Sequence, residues 1–151
     1  MAECWVINYT NSPTLKKGIV KRGCRIPTFA KYIVSTPEGF KLLGNKEEFT
    51  EFFAPISTPE EAISFLVSIT GDMTKYKINL TKDKFTEVYA TDVRPTYAEK
   101  TKEGIRVRLF KKELCGCEHP LFAIEYLVTK DGVVTELDKQ KMLTVRGPCV
   151  D

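Results

Sequence analysis

The sequence predicts an α+β fold: an antiparallel meander sheet packed against one main amphipathic helix, with a short second helix beside it. Three observations predict it. Two capped segments between residues 45 and 71 carry apolar side chains at helical spacing. Beyond residue 76 the apolar side chains instead alternate with polar ones, the period of a half-buried strand. An Asp131-Gly132 pair separates two of these alternating runs, as a hairpin turn does. Helices ahead of consecutive antiparallel strands point to α+β rather than to repeating βαβ units.

The elements follow in order. Trp5 to Tyr9 is aromatic and β-branched and reads as a first strand. Thr10 to Thr28 holds two prolines and two glycines among polar residues and reads as loop, with a short strand at Gly18-Ile19-Val20. Phe29–Val34 and Phe40–Leu43 flank Thr36-Pro37-Glu38-Gly39, a hairpin in which proline fixes φ and Gly39 takes a positive one. Asn45 caps the short helix, with Glu48 completing a capping box, and Phe49, Phe52 and Phe53 form its apolar stripe. Ala54-Pro55 ends that helix, because a residue before proline avoids the helical region. Thr58-Pro59-Glu60-Glu61 opens the main helix with a cap, a proline at the first helical position and a box-closing glutamate. Ala62, Phe65, Leu66 and Ile69 make its buried face, and Gly71 stops it.

After Asp72 the period changes. Tyr76–Leu80 and Phe85–Val93 read as strands, and Tyr97–Lys102 as a solvated connector. Ile105, Val107 and Leu109 alternate with Arg106 and Arg108, and Phe122, Ile124, Tyr126 and Val128 form the return strand. Val133–Val145 is the last strand and Arg146–Asp151 a loop-like tail. A curved sheet that buries Phe65, Leu66 and Ile69 against one helix resembles, in architecture only, a cystatin- or NTF2-like roll. No shared motif accompanies that layout, so it implies no function.

A chain of 151 residues, 42% hydrophobic and 28% charged, is long enough for one real core. No Ser/Gly linker or charge block divides it, so a single domain over residues 1–151 is expected. The 23 basic and 20 acidic residues leave a net charge of +3, too small and too evenly spread for a nucleic-acid field. The densest basic cluster, Lys16, Lys17, Lys21, Arg22 and Arg25, reads as a solvated loop and strand edge. No apolar run reaches the roughly 18 residues of a transmembrane helix. Met1-Ala2-Glu3-Cys4 passes directly into Trp5-Val6-Ile7 with no signal-like segment, as in a cytoplasmic chain or at a mature terminus carrying a start methionine.

Cys115-Gly116-Cys117-Glu118-His119-Pro120 is the one cluster of chemistry-bearing side chains: it holds two of the five cysteines and the single histidine. In an extended segment positions i, i+2 and i+4 point the same way, so Cys115, Cys117 and His119 could converge on a zinc ion, with Cys149, Cys24, Glu118 or water as fourth ligand. Against this, zinc sites usually pair cysteines at Cys-x-x-Cys spacing, which is absent. The competing reading makes Cys115 or Cys117 half of a disulfide with Cys4, Cys24 or Cys149, leaving one thiol over from an odd count. A third reading leaves free thiols in a hairpin bend. Five cysteines favour an extracytoplasmic home over a cytoplasmic one. The sequons Asn8-Tyr9-Thr10 and Asn79-Leu80-Thr81 matter only in a secreted eukaryotic setting.

No other constellation carries chemistry. No glycine-rich loop opens a helix, Glu60-Glu61 is explained by capping, and Asp92 and Arg94 flank Val93 as an ion pair would. Arg106, Arg108, Lys111 and Lys112 read as one basic strand face able to receive an acidic partner. The expectation is a non-catalytic binding or structural module whose partner is a protein or a small molecule rather than a nucleic acid. The alternative is a metal-binding or thiol-active protein centred on Cys115, Cys117 and His119.

Overall fold

A computed structural model describes residues 1–7, 18–25, 27–80, 83–91 and 93–150. The Asn8 sequon, Thr81 of the second sequon, Lys16, Lys17 and Asp92 lie outside the described residues. The strands fall into two antiparallel sheets with two helices between them in sequence.

The first sheet contains β1 (Ala2–Ile7), β2 (Val20–Arg22), β3 (Thr28–Thr36) and β4 (Gly39–Leu43). Strand β3 is its spine. Ala30 faces Trp5 of β1 across one edge and Val20 of β2 across the other, and β4 continues that second edge with Leu43 opposite Tyr32. Period-two alternation along β3 buries Ala30, Tyr32 and Val34 on one face. The β3–β4 hairpin turns at Pro37-Glu38, and Gly39 follows at φ 127°.

Helix α1 (Lys46–Phe53) is capped by Asn45, whose side chain accepts from the Glu48 backbone N–H at 2.8 Å. The Glu48 carboxylate accepts from the Gly44 N–H rather than from the cap residue, so the expected box is displaced by one position. Helix α2 (Pro59–Thr70) has the complete box: Thr58 Oγ1 accepts from Glu61 N–H and the Glu61 carboxylate accepts from Thr58 N–H. It ends at Gly71, φ 74°. A side chain there would run into Val20 of β2, so both the left-handed backbone and the packing require glycine.

The second sheet runs in the order β5-β9-β8-β7-β6. Its members are β5 (Thr86–Val88), β6 (Tyr97–Lys100), β7 (Ile105–Lys112), β8 (Gly116–Val128) and β9 (Val134–Val150). Helix α2 touches β2 of the first sheet and β6 and β7 of the second. The Tyr32 hydroxyl donates to the Ser68 carbonyl at 3.0 Å, tying β3 to the same helix. One buried cluster therefore draws Val20, Tyr32 and Leu43 from the first sheet, Phe49, Phe65 and Leu66 from the helices, and Val107, Ile124 and Val128 from the second.

Several elements depart from the sequence expectation. The single curved sheet becomes two sheets, because the early strands pair among themselves around β3. Tyr76–Leu80 forms no strand. Its neighbourhood joins the sheet only where Met73 bridges Phe110, and Ile78 instead packs over the second sheet's other face with Phe110, Leu121, Ala123 and Met142. The expected strand at Phe85–Val93 shrinks to Thr86–Val88. The expected connector at 97–102 contains β6, an edge strand whose charged residues suit its exposed position. The tail continues β9 to Val150, pairing with the residues from Gly116 onward. The Cys-Gly-Cys-Glu-His segment thus bends at Cys115 in the β7–β8 connection and opens β8 from Gly116.

The basic face of β7 also divides. Lys111 shares its face with Ile105, Val107 and Leu109, whereas Arg106, Arg108 and Lys112 share the opposite one with Phe110. Arg108 is not solvated. It is 2% exposed, and its guanidinium donates to Glu125 Oε1 at 3.0 Å. Tyr97 donates to the other oxygen of Glu125 at 2.7 Å, and Arg106 stands 3.8 Å from it.

Candidate functional site

Where α2 ends, the chain is set down on the second sheet by a run of local bonds. Thr70 Oγ1 donates to the Leu66 carbonyl at 2.7 Å and accepts from the Asp72 N–H at 3.1 Å. Met73 then exchanges backbone bonds with Phe110, at 2.8 and 2.9 Å, on the edge of β7. Between these two anchors Asp72 has little freedom, and its carboxylate points at Tyr126 of β8, whose hydroxyl donates to Oδ2 at 2.6 Å. Asp72 is 4% exposed and Tyr126 6%.

Burial sets the acid–base character of the pair. Removal from water pushes the Asp72 carboxyl above the ordinary aspartate range, and Glu136 adds to that. The Tyr126 hydrogen bond and the nearby Lys111 and Lys139 oppose the shift without cancelling it. The Tyr126 phenol is pushed well above its usual value, first by burial and then by giving its proton to a hydrogen bond with Asp72.

This pair forms the floor of a cleft of about 480 Å³, a size that suits a small ligand. Helix α1 contributes Lys46 and Thr50 to one wall, and the end of α2 contributes Ile69 and Thr70. Lys111 enters from β7, and Val134 and Glu136 from the start of β9. The 129–133 turn closes one end. Gly132 N–H donates to the Thr129 carbonyl at 2.9 Å, Ile56 N–H donates to the Lys130 carbonyl at 2.8 Å, and a side chain on Gly132 would meet Thr50 at 2.6 Å. The cleft thus offers lysines, carboxylates and hydroxyls, with Ile69 and Val134 as its aliphatic lining.

The cysteine cluster lies elsewhere. Cys115 is bridged to Cys24 and Cys117 to Cys149, while Cys4 is unbridged. In this oxidised form the two sulfurs are bonded to different partners and neither is a thiolate. His119, 8% exposed, places Nε2 3.1 Å from the Pro148 carbonyl and packs its ring against Gly147. Among the described residues no group of three or more His, Cys, Asp or Glu side chains is arranged to hold a metal ion. A zinc set of Cys115, Cys117 and His119 therefore belongs only to a reduced chain. Among the helices described, none is long and apolar enough to cross a membrane.

The sequence reading named neither Asp72 nor Tyr126 as a site residue. Asp72 stood out only as the residue after a helix stop, and Tyr126 only as one of an alternating apolar series. They are 54 positions apart, and no local pattern joins them. No protein-family model matches this chain, nor does any curated protein or any solved structure.

Proposed function

We propose that the protein is a non-catalytic binding module of an oxidising, extracytoplasmic compartment, and that it takes a small polar ligand in the cleft above Asp72 and Tyr126. The observation that carries this reading is the buried carboxyl–phenol pair in the floor of an open, charge-lined cleft. Burying a carboxyl group costs stability unless something repays it, and groups kept at such a cost gather at functional sites. The two disulfides support the compartment, since bridges persist where thiols are not continuously reduced. The test is a small-molecule library screened against backbone amide resonances. Hits should shift Asp72, Lys111 and Glu136 together and lose that effect in Asp72→Asn. Hits that leave these three resonances unmoved would overturn the cleft as the binding site.

The alternative of a zinc or thiol centre concerns the reduced chain, and one observation favours keeping it. The bridges bring Cys24 to Cys115 and Cys149 to Cys117, and Cys115 and Cys117 are close in sequence to His119. Zinc analysis of the fully reduced protein tests it. Stoichiometric zinc that falls in His119→Ala supports it, and a metal-free reduced protein removes it.

A further inference from the structure

The charges in the cleft are of both signs, and although Lys111 acts on Asp72 through space, no ion pair among the described residues joins them. Lys46 and Lys111 line it beside Asp72 and Glu136. Among the described residues, Lys46, Lys111 and Glu136 enter no ion pair, whereas Lys139, Arg108 and Arg146 all do. Each sign has one contributor from the helical side, Lys46 and Asp72, and one from the sheet, Lys111 and Glu136. The end of α2 lines the cleft as well, and the carbonyl end of a helix favours a positive group.

We infer that the cleft takes a small zwitterion, a molecule with an ammonium group and a carboxylate joined by a short apolar stem. This rests on the cleft reading above. Asp72 and Glu136 are the cleft groups that would take the ammonium group, Lys46 and Lys111 those that would take the carboxylate, and Ile69 and Val134 the apolar lining for the stem. A simple anion would meet two carboxyl groups without compensation, and a simple cation would meet two lysines. Only a ligand carrying both signs satisfies all four side chains. Ligand charges that replace lost hydration with charge-assisted hydrogen bonds gain most in such a partly enclosed place.

The experiment compares ligands that differ in charge alone. The probes are 4-aminobutyrate and 6-aminohexanoate, together with the carboxylic acid and the amine of each chain length. Each is titrated into the intact, oxidised protein while amide resonances are followed. At least one amino acid should bind about tenfold more tightly than its matching acid and amine, the value of one charge-assisted hydrogen bond. Lys111→Gln should reduce that preference towards the affinity of the amine, and Glu136→Gln towards that of the acid. Lys111 and Glu136 are exposed, so both variants should fold. If an acid or an amine binds at the cleft as tightly as the amino acid, the site serves one sign only; the zwitterion inference falls and the cleft reading stands. If no probe moves the cleft resonances, the inference falls as well, and the library screen alone decides whether the cleft binds anything.

Discussion

Asp72 shows how one residue couples stability to pH. Its carboxyl is raised in the native protein by burial, so the native state keeps its proton to a higher pH than the unfolded chain does. Well below the ordinary aspartate value both states are protonated and the group costs nothing. As pH rises, the unfolded chain ionises first, and native stability falls until the native carboxyl ionises too. Asp72→Asn removes this loss. The stability of the variant relative to wild type should therefore rise as pH climbs through the ordinary aspartate value of about 4 and upward until the raised native carboxyl ionises, read from denaturant midpoints. A difference that stays constant across that range would show that Asp72 titrates normally. Tyr126→Phe leaves the buried carboxyl without its donor and should cost about 1–3 kcal/mol, also read from denaturant midpoints. On the opposite sheet face Glu125 joins Arg108 and Tyr97, and Glu125→Ala should cost about 3–5 kcal/mol in chemical denaturation because it breaks a buried ion pair.

At the scale of elements, α2 links the two sheets, and its own sequence sets where it begins and ends. Thr58→Ala should cost about 1 kcal/mol through loss of the cap. Phe65 is 4% exposed and packs on Phe49 at 5.7 Å between ring centres, so Phe65→Ala should cost about 3–5 kcal/mol. An unchanged melting temperature in Phe65→Ala would mean that the wrong helix face has been placed in the core. The turn at Gly132 is the sheet's counterpart. Its φ of 78° and its approach to Thr50 both exclude a side chain, so Gly132→Ala should cost about 1–2 kcal/mol or more in thermal unfolding and loosen the wall of the cleft.

Across the whole molecule, the Cys24–Cys115 bridge joins the loop after β2 to the start of β8, fastening the first sheet to the second over 91 positions. In the chain-entropy model a loop of that length contributes about 4–5 kcal/mol. Titration of the denatured, unreduced protein should find one reactive thiol, Cys4, and the double variant Cys24→Ser/Cys115→Ser should lose a large part of that stability. Five reactive thiols would mean that no bridge forms. The sequence by itself determined what is local: the caps at Asn45 and Thr58, the stop at Gly71, the hairpin turns at Pro37–Gly39 and Asp131-Gly132, and the apolar faces of both helices. Each depends on residues within a turn or two of one another, where propensity and periodicity act directly. Only the tertiary structure decided which strands share a sheet, that 97–100 pairs as an edge, and that Arg108 is buried against Glu125. It also chose Cys24 and Cys149 as bridge partners and brought Asp72 to Tyr126. These contacts join residues 5 to 91 positions apart, and cysteine spacing or strand alternation alone leaves many such pairings open.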